Sequence, residues 1–156
     1  MHKKITKIMT VFLLTVTSGL FAFGASAEPE ATAAEPASLY ERLGAWDGIS
    51  KVVADTIALH VKNPTISHYF KDTDLDKLQS NVTAFFAAGT GGPAKYEGRD
   101  MTSAHAGMGM SDEEYDSAVA DVLTAVKKNG LGEQEQADVK AILMSLKPAV
   151  MGTGGS

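Results

Sequence analysis

The run FFAAGTGGPAKYEGRDMTSAHAGMGM, residues 85–110, ends an apolar stretch on twin glycines, crosses a loop and delivers one histidine, His105. That imidazole is the residue best placed for chemistry. The chain has no cysteine, and beyond residue 27 only three histidines, His60, His68 and His105, so a Cys/His zinc site cannot be assembled. One histidine acting alone points to a cofactor that brings most of its own ligands, and haem is such a cofactor. Out of context, a lone histidine is more often a satisfied core or surface residue. The absence of Cys-x-x-Cys-His means that any haem would be held non-covalently rather than through thioethers.

The elements that must position His105 follow from periodicity and capping signals. Ser38 caps a short helix through about Leu43, which Gly44 ends. Asp47 precedes Ile49, Val52, Val53, Thr56, Ile57, His60 and Val61, a helical ladder that Asn63-Pro64 stops. Ile66, Tyr69 and Phe70 form an apolar bend, and Thr73 with Asp76 reads as the start of a second long helix. That helix carries Leu75, Leu78, Val82, Phe85 and Phe86, and Gly89, Gly91, Gly92 and Pro93 cannot continue it. Asp100 to Ala106 has room for about two turns, bounded by Gly107 and Gly109. Ser111 and Glu114 form a capping box before Tyr115, Ala118, Val119, Val122, Leu123 and Val126, and a final helix spans roughly Glu133 to Lys147. No strand alternation and no repeat appears. The pattern predicts an all-α domain able to enclose a flat apolar ligand.

The first 27 residues read differently. Three lysines precede a mostly apolar stretch, Ile8 to Gly24, and Ala25-Ser26-Ala27 supplies a small-residue cleavage pattern, as in a secretory signal peptide. The apolar stretch is short for a bilayer and interrupted by Thr10, Thr15, Thr17, Ser18 and Gly19, so no stable membrane insertion is expected after cleavage. Residues 28–37, rich in Pro, Glu and Ala, read as a flexible leader, and residues 152–156 as a flexible tail around a domain at 38–151. The expected location is exported and periplasmic. The formal charge of −5 becomes −8 once Lys3, Lys4 and Lys7 are removed, and such an acidic chain excludes nucleic acid as a partner.

From Leu39 to about Val150 the residues LYERLG, Phe70, FFAAGTGGPAKYEG and MTSAH, in this order, resemble the group I truncated haemoglobins. The resemblance implies a truncated globin-like two-over-two helical sandwich enclosing haem b, with His105 as proximal iron ligand. It further implies that Phe70 packs on the haem plane and that Leu78, Asn81, Val82 and Phe85 face it. Tyr96 and Met101 would border its propionate edge and proximal side, and Tyr115 would close the proximal pocket. Phe70, Leu78, Val82 and Phe85 would be core residues in any helical fold, and Tyr96 could be an ordinary loop aromatic, so only the set is informative.

This chain departs from the pattern. Many relatives place a tyrosine and one or two glutamines on the distal side; the matching positions here are Ile57, Leu78 and Val82, all aliphatic. Oxygen gains negative charge on binding, and a donor aimed at it contributes about 1.5–3 kcal/mol. Carbon monoxide and nitric oxide depend less on a donor, so discrimination against oxygen is expected unless Thr56, His60 or Asn81 supplies one. His60 reads first as a helix-interface histidine bonding a neighbouring backbone group. The alternative is a distal donor or sixth ligand. His68 is expected to be exposed. Ala45 stands where the family often has a second glycine, and its methyl group disfavours left-handed geometry. Met101, Met108 and Met110 read as adaptable packing rather than sulfur ligands.

These residues favour a protein that binds a diatomic gas, oxygen, carbon monoxide or nitric oxide, for transport or sensing, with a reductant of unspecified kind. The alternative is a haem enzyme that detoxifies nitric oxide or reduces peroxide; the aliphatic distal set disfavours both reactions. A helical module without haem, binding a partner in an apolar groove, is the third possibility.

Overall fold

The computed structural model describes residues 36–152. The signal segment at 1–27, all but the end of the leader at 28–37, and all of the tail after Gly152 lie outside them. The elements are α1 (Leu39–Arg42), α2 (Ala45–His60), a 3₁₀ turn (Ser67–Phe70), α3 (Leu75–Gly89), α4 (Met101–His105), α5 (Asp112–Lys128) and α6 (Glu133–Val150). Among the described residues there is no strand. Helices α2 and α3 pack together, α5 and α6 pack together, and α2 crosses onto α5, which is the two-over-two arrangement.

The starts and stops obey capping chemistry. Ser38 and Ser111 each close a capping box, with Glu41 and Glu114 respectively. The cap of α3 is Asp74, not Thr73: the Lys77 N–H donates to Asp74 Oδ1 at 3.0 Å, while Thr73 Oγ1 donates back to the Tyr69 carbonyl. A carboxylate is the stronger acceptor at a helix N-terminus and complements its dipole. Helix α6 runs three residues past Lys147, through Pro148. A proline in the last turn removes one donor from the ladder where the helix is about to end, so the helix survives it.

Helix α2 begins at Ala45, ahead of the expected Asp47, because Gly44 at φ +84° turns the chain directly out of α1. Ala45 itself lies at φ +55°, the left-handed geometry its methyl group disfavours. Gly92 is required for a different reason. A Cβ there would meet the Ala87 carbonyl oxygen at 2.6 Å and the Tyr40 ring at 2.7 Å. The close approach lets the Gly92 N–H donate to the Ala87 carbonyl and the Tyr40 N–H to Thr90, which joins α1 to the end of α3.

Leu43, Ile49, Val53, Ile57, Ala87, Val126 and Val139 form the buried cluster linking α1, α2, α3, α5 and α6. Each large aliphatic side chain so buried contributes about 1.5–3 kcal/mol relative to exposure. Arg42 clamps α1 to α6 by donating to Glu135 and Asp138. Helix α4 contributes no buried residue; it leans on α6. Its Met101, Ala104 and His105 line a cavity shared with the other helices.

Candidate functional site

Helix α4 is short because Asp100 starts it and Gly107, at φ +78°, follows its end. Asp100 accepts from the Ser103 N–H at 2.9 Å and from the Ser103 hydroxyl at 2.7 Å, and these bonds hold its carboxyl below the ordinary range. The cap places His105 in the last turn. Its Nδ1 lies 2.9 Å from the Met101 carbonyl oxygen one turn back. A carbonyl only accepts, so Nδ1 carries the proton and Nε2 keeps its lone pair.

His105 lines a cavity of about 960 Å³. Its walls bring together the residues that the resemblance assigns to the cofactor and the distal side: Ile57 from α2, Phe70 from the 3₁₀ turn, Leu78, Asn81, Val82 and Phe85 from α3, Tyr96 from the loop, Met101 from α4 and Tyr115 from α5. Phe85 meets the Tyr96 ring edge-on at 5.2 Å, and Tyr96 donates its hydroxyl proton to the Arg99 carbonyl at 2.8 Å. Tyr115 is buried and donates to the Leu143 carbonyl, with Lys147 Nζ 5.3 Å from its ring centre; burial pushes its phenol upward. Asn81 is solvent-exposed on α3, so it is a rim residue.

His60 also lines the cavity, but it bonds a carboxylate rather than a backbone group: Nδ1 is 3.0 Å from Asp121 Oδ2 on α5. Asn63 Nδ2 donates to the same oxygen at 2.8 Å. The Phe70 ring lies 5.4 Å from the imidazole. His68 is exposed as expected, 3.5 Å from Glu114, and stands outside the cavity wall. Met101, Met108 and Met110 all line the cavity.

Asp121, Asn63 and Ser117 were not singled out from the sequence. Ser117 and Asp121 are polar residues four apart on the inner half of α5, and that interruption of an apolar ladder was the available signal. Lys77 and Arg99, which no sequence signal marks, stand with Thr73, Asp74, Asn81 and Glu97 among the cavity's polar lining. Among the described residues no group of three His, Cys, Asp or Glu could hold a metal ion. The slot is mostly apolar, holds the imidazoles of His105 and His60 and has two cations among its polar residues. It suits a flat apolar group that needs one protein ligand and carries anionic substituents.

The model of the bacterial-like globins matches residues 38–151 of this chain. The chain belongs to the bacterial-like globin family. This globin is 31% identical over 109 residues to the group 1 truncated hemoglobin GlbN of Synechocystis, covering 67% of this chain and 88% of that protein. It is 26% identical over 117 residues to the group 1 truncated hemoglobin GlbN of Mycolicibacterium paratuberculosis, covering 75% and 86%. Its fold is similar to the crystal structure of a truncated hemoglobin from Tetrahymena pyriformis in the Fe(III) form. The TM-score is 0.68 at 25% identity, covering 74% of this chain and 97% of that one. These likenesses make it a truncated globin.

Proposed function

We propose that this globin holds haem b non-covalently in the cavity, with His105 Nε2 as proximal ligand, and binds a diatomic gas on the opposite side. The observation that carries this is the His105–Met101 hydrogen bond, which orients the ring and leaves one nitrogen for iron inside a mostly apolar cavity. Phe70 and Phe85 offer flat faces for a macrocycle, and Lys77 and Arg99 suit its carboxylates. The haem supplies an iron with one open coordination position.

The chain's own residues set what that position favours. Ile57, Leu78 and Val82 line the cavity without a donor, and Ile57 is 8% exposed. His60 adds none in its neutral form, because its one N–H is directed to Asp121. Oxygen is therefore held less firmly than in relatives that aim a tyrosine donor at it, while carbon monoxide and nitric oxide depend less on such a donor. Gas carriage or sensing follows from this set better than nitric oxide oxidation or peroxide reduction.

A covalently attached heme is described for a 2/2 hemoglobin of Synechococcus whose fold is similar at 22% identity. The lack of cysteine excludes a thioether link to the porphyrin here, in keeping with non-covalent binding. The signal-like pattern of residues 1–27 supports export to the periplasm. Among the described residues no helix is long and apolar enough to cross a membrane. The test is the absorption spectrum of the purified protein in ferric, ferrous and carbonmonoxy forms, followed by acid–organic extraction. A Soret band that shifts with carbon monoxide and a fully extractable porphyrin support the proposal; absence of stoichiometric haem refutes it.

A further inference from the structure

The His60–Asp121 pair stands on the cavity wall between α2 and α5, and neither the fold nor the binding of a diatomic gas requires a charge there. Both side chains are largely buried, with 13% and 18% exposure. A carboxylate only accepts, so the His60 proton sits on Nδ1 and Nε2 keeps the lone pair. Among the described residues Nε2 has no hydrogen-bond partner. Asp121 cannot swing away easily, since Asn63 donates both to its Oδ2 and to Ser117 Oγ, at 2.8 and 2.9 Å. Asn63 is itself held by the Thr65 N–H at 3.0 Å. An imidazole whose far nitrogen is fixed by a positioned carboxylate is the arrangement of a general base.

The surroundings select what such a base can act on. Ile57, Phe70 and Val122 line the same cavity, and an apolar passage admits neutral molecules more readily than anions. We propose that His60, positioned by Asp121, takes the proton from neutral weak acids that enter the cavity, so that ligands of the class HX, such as hydrogen cyanide or hydrogen sulfide, are held there as their anions. The H–X bond breaks, its electron pair stays on X, and its proton passes to Nε2. The imidazolium then lies between the Asp121 carboxylate and the new anion. The proposal rests on the haem reading, because a ferric haem is what binds such anions.

Burial pushes the His60 imidazole below its ordinary value despite the opposing pull of Asp121, so the base form prevails near neutral pH. From α5 the charge acting on the ring is Asp121. On the 3₁₀ turn, His68 and Tyr69 pair with Glu114 instead. Lys77 and Asp74, at the start of α3, line the same cavity.

The experiment uses the ferric, haem-loaded full chain and cyanide as probe. Stopped-flow Soret changes give the association rate between pH 5 and 8, and a pH indicator in weak buffer counts protons released per cyanide bound. The bound anion adds to Asp121 in holding the imidazolium, so in the wild type release at pH 7 is expected below one proton, and the association rate falls as acid titrates His60 of the unliganded protein. His60→Leu releases about one proton and associates roughly 10²-fold more slowly, the low end for a positioned acid–base group. His60→Gln, which keeps the volume and cannot be protonated, behaves the same way. Asp121→Asn moves the inflection of the rate to lower pH, an effect that a purely structural role would not produce. Equal rates and one proton released in wild type and both His60 variants overturn the proposal. Carbon monoxide, which has no proton to give, separates the two failures. A ferrous form that binds it normally leaves the haem reading standing, whereas a protein without a carbon monoxide response refutes that reading itself.

Discussion

His105 and Met101 are joined one turn apart on α4, ring Nδ1 to carbonyl oxygen at 2.9 Å, within a helix of five residues. The bond fixes the tautomer and the ring orientation together. The position of the His105 imidazole thus depends on a short helix held by its Asp100 cap, by Arg99 donating to the Ser103 carbonyl at 3.3 Å and by its packing on α6.

His105→Gly is expected to abolish the carbon monoxide-responsive Soret band of the ferrous protein. Added imidazole, which can fill the cleared space and supply the same nitrogen, should restore it. Visible spectra with and without millimolar imidazole check this. A variant that keeps an unchanged spectrum would show that His105 is not the ligand.

Ile57→Tyr introduces a hydroxyl donor at a cavity wall that is aliphatic at the matching distal positions. A hydrogen bond to a charged acceptor is worth about 1.5–3 kcal/mol, so oxygen dissociation should slow by roughly 10- to 150-fold. Carbon monoxide dissociation should change far less. Ligand-displacement kinetics on the ferrous protein measure both. If the wild type already releases oxygen slowly and the tyrosine has no effect, Thr56 or Asn81 supplies the donor.

Arg42 holds the Glu135 and Asp138 carboxyls below their ordinary values of 4.5 and 3.8. Groups lowered by folding stabilise the folded state above their unfolded values and lose that contribution as pH falls through the folded ones. Arg42→Met should therefore be less stable than wild type at pH 7. The gap should narrow steadily as pH drops below 4.5 and close in strong acid. Urea unfolding followed by circular dichroism at several pH values gives the difference. A gap independent of pH would mean that Arg42 stabilises by packing its stem and not through the two carboxylates.

The helices were legible because each carries a local signal. Ser111 with Glu114 is a capping box in the sequence and in the fold, and Ser38, expected as a cap, also closes a box with Glu41. The twin glycines at 91–92 mark the end of α3, and the contact of Gly92 with Tyr40 explains why a methyl group would not fit. Ala45 was read as unfavourable for left-handed geometry, yet it adopts φ +55°. Steric preference is a local cost, and the packing of α1 and α2 on either side outweighs it. His60 was read as an interface histidine, and its partner lay 61 residues away on another helix, beyond the reach of any periodicity.

What the amino-acid sequence determined by itself is what depends on neighbours within a turn or two: where helices start and stop, which faces are apolar, that the chain lacks a cysteine and that one histidine closes a glycine-bounded segment. The tertiary structure alone decided which side chains share the cavity of about 960 Å³ and that Asp121 and Asn63 converge on His60. Hydrogen bonds between helices depend on how two ridged surfaces settle against each other. That registry is a property of the whole packed core, in which each helix constrains the rest.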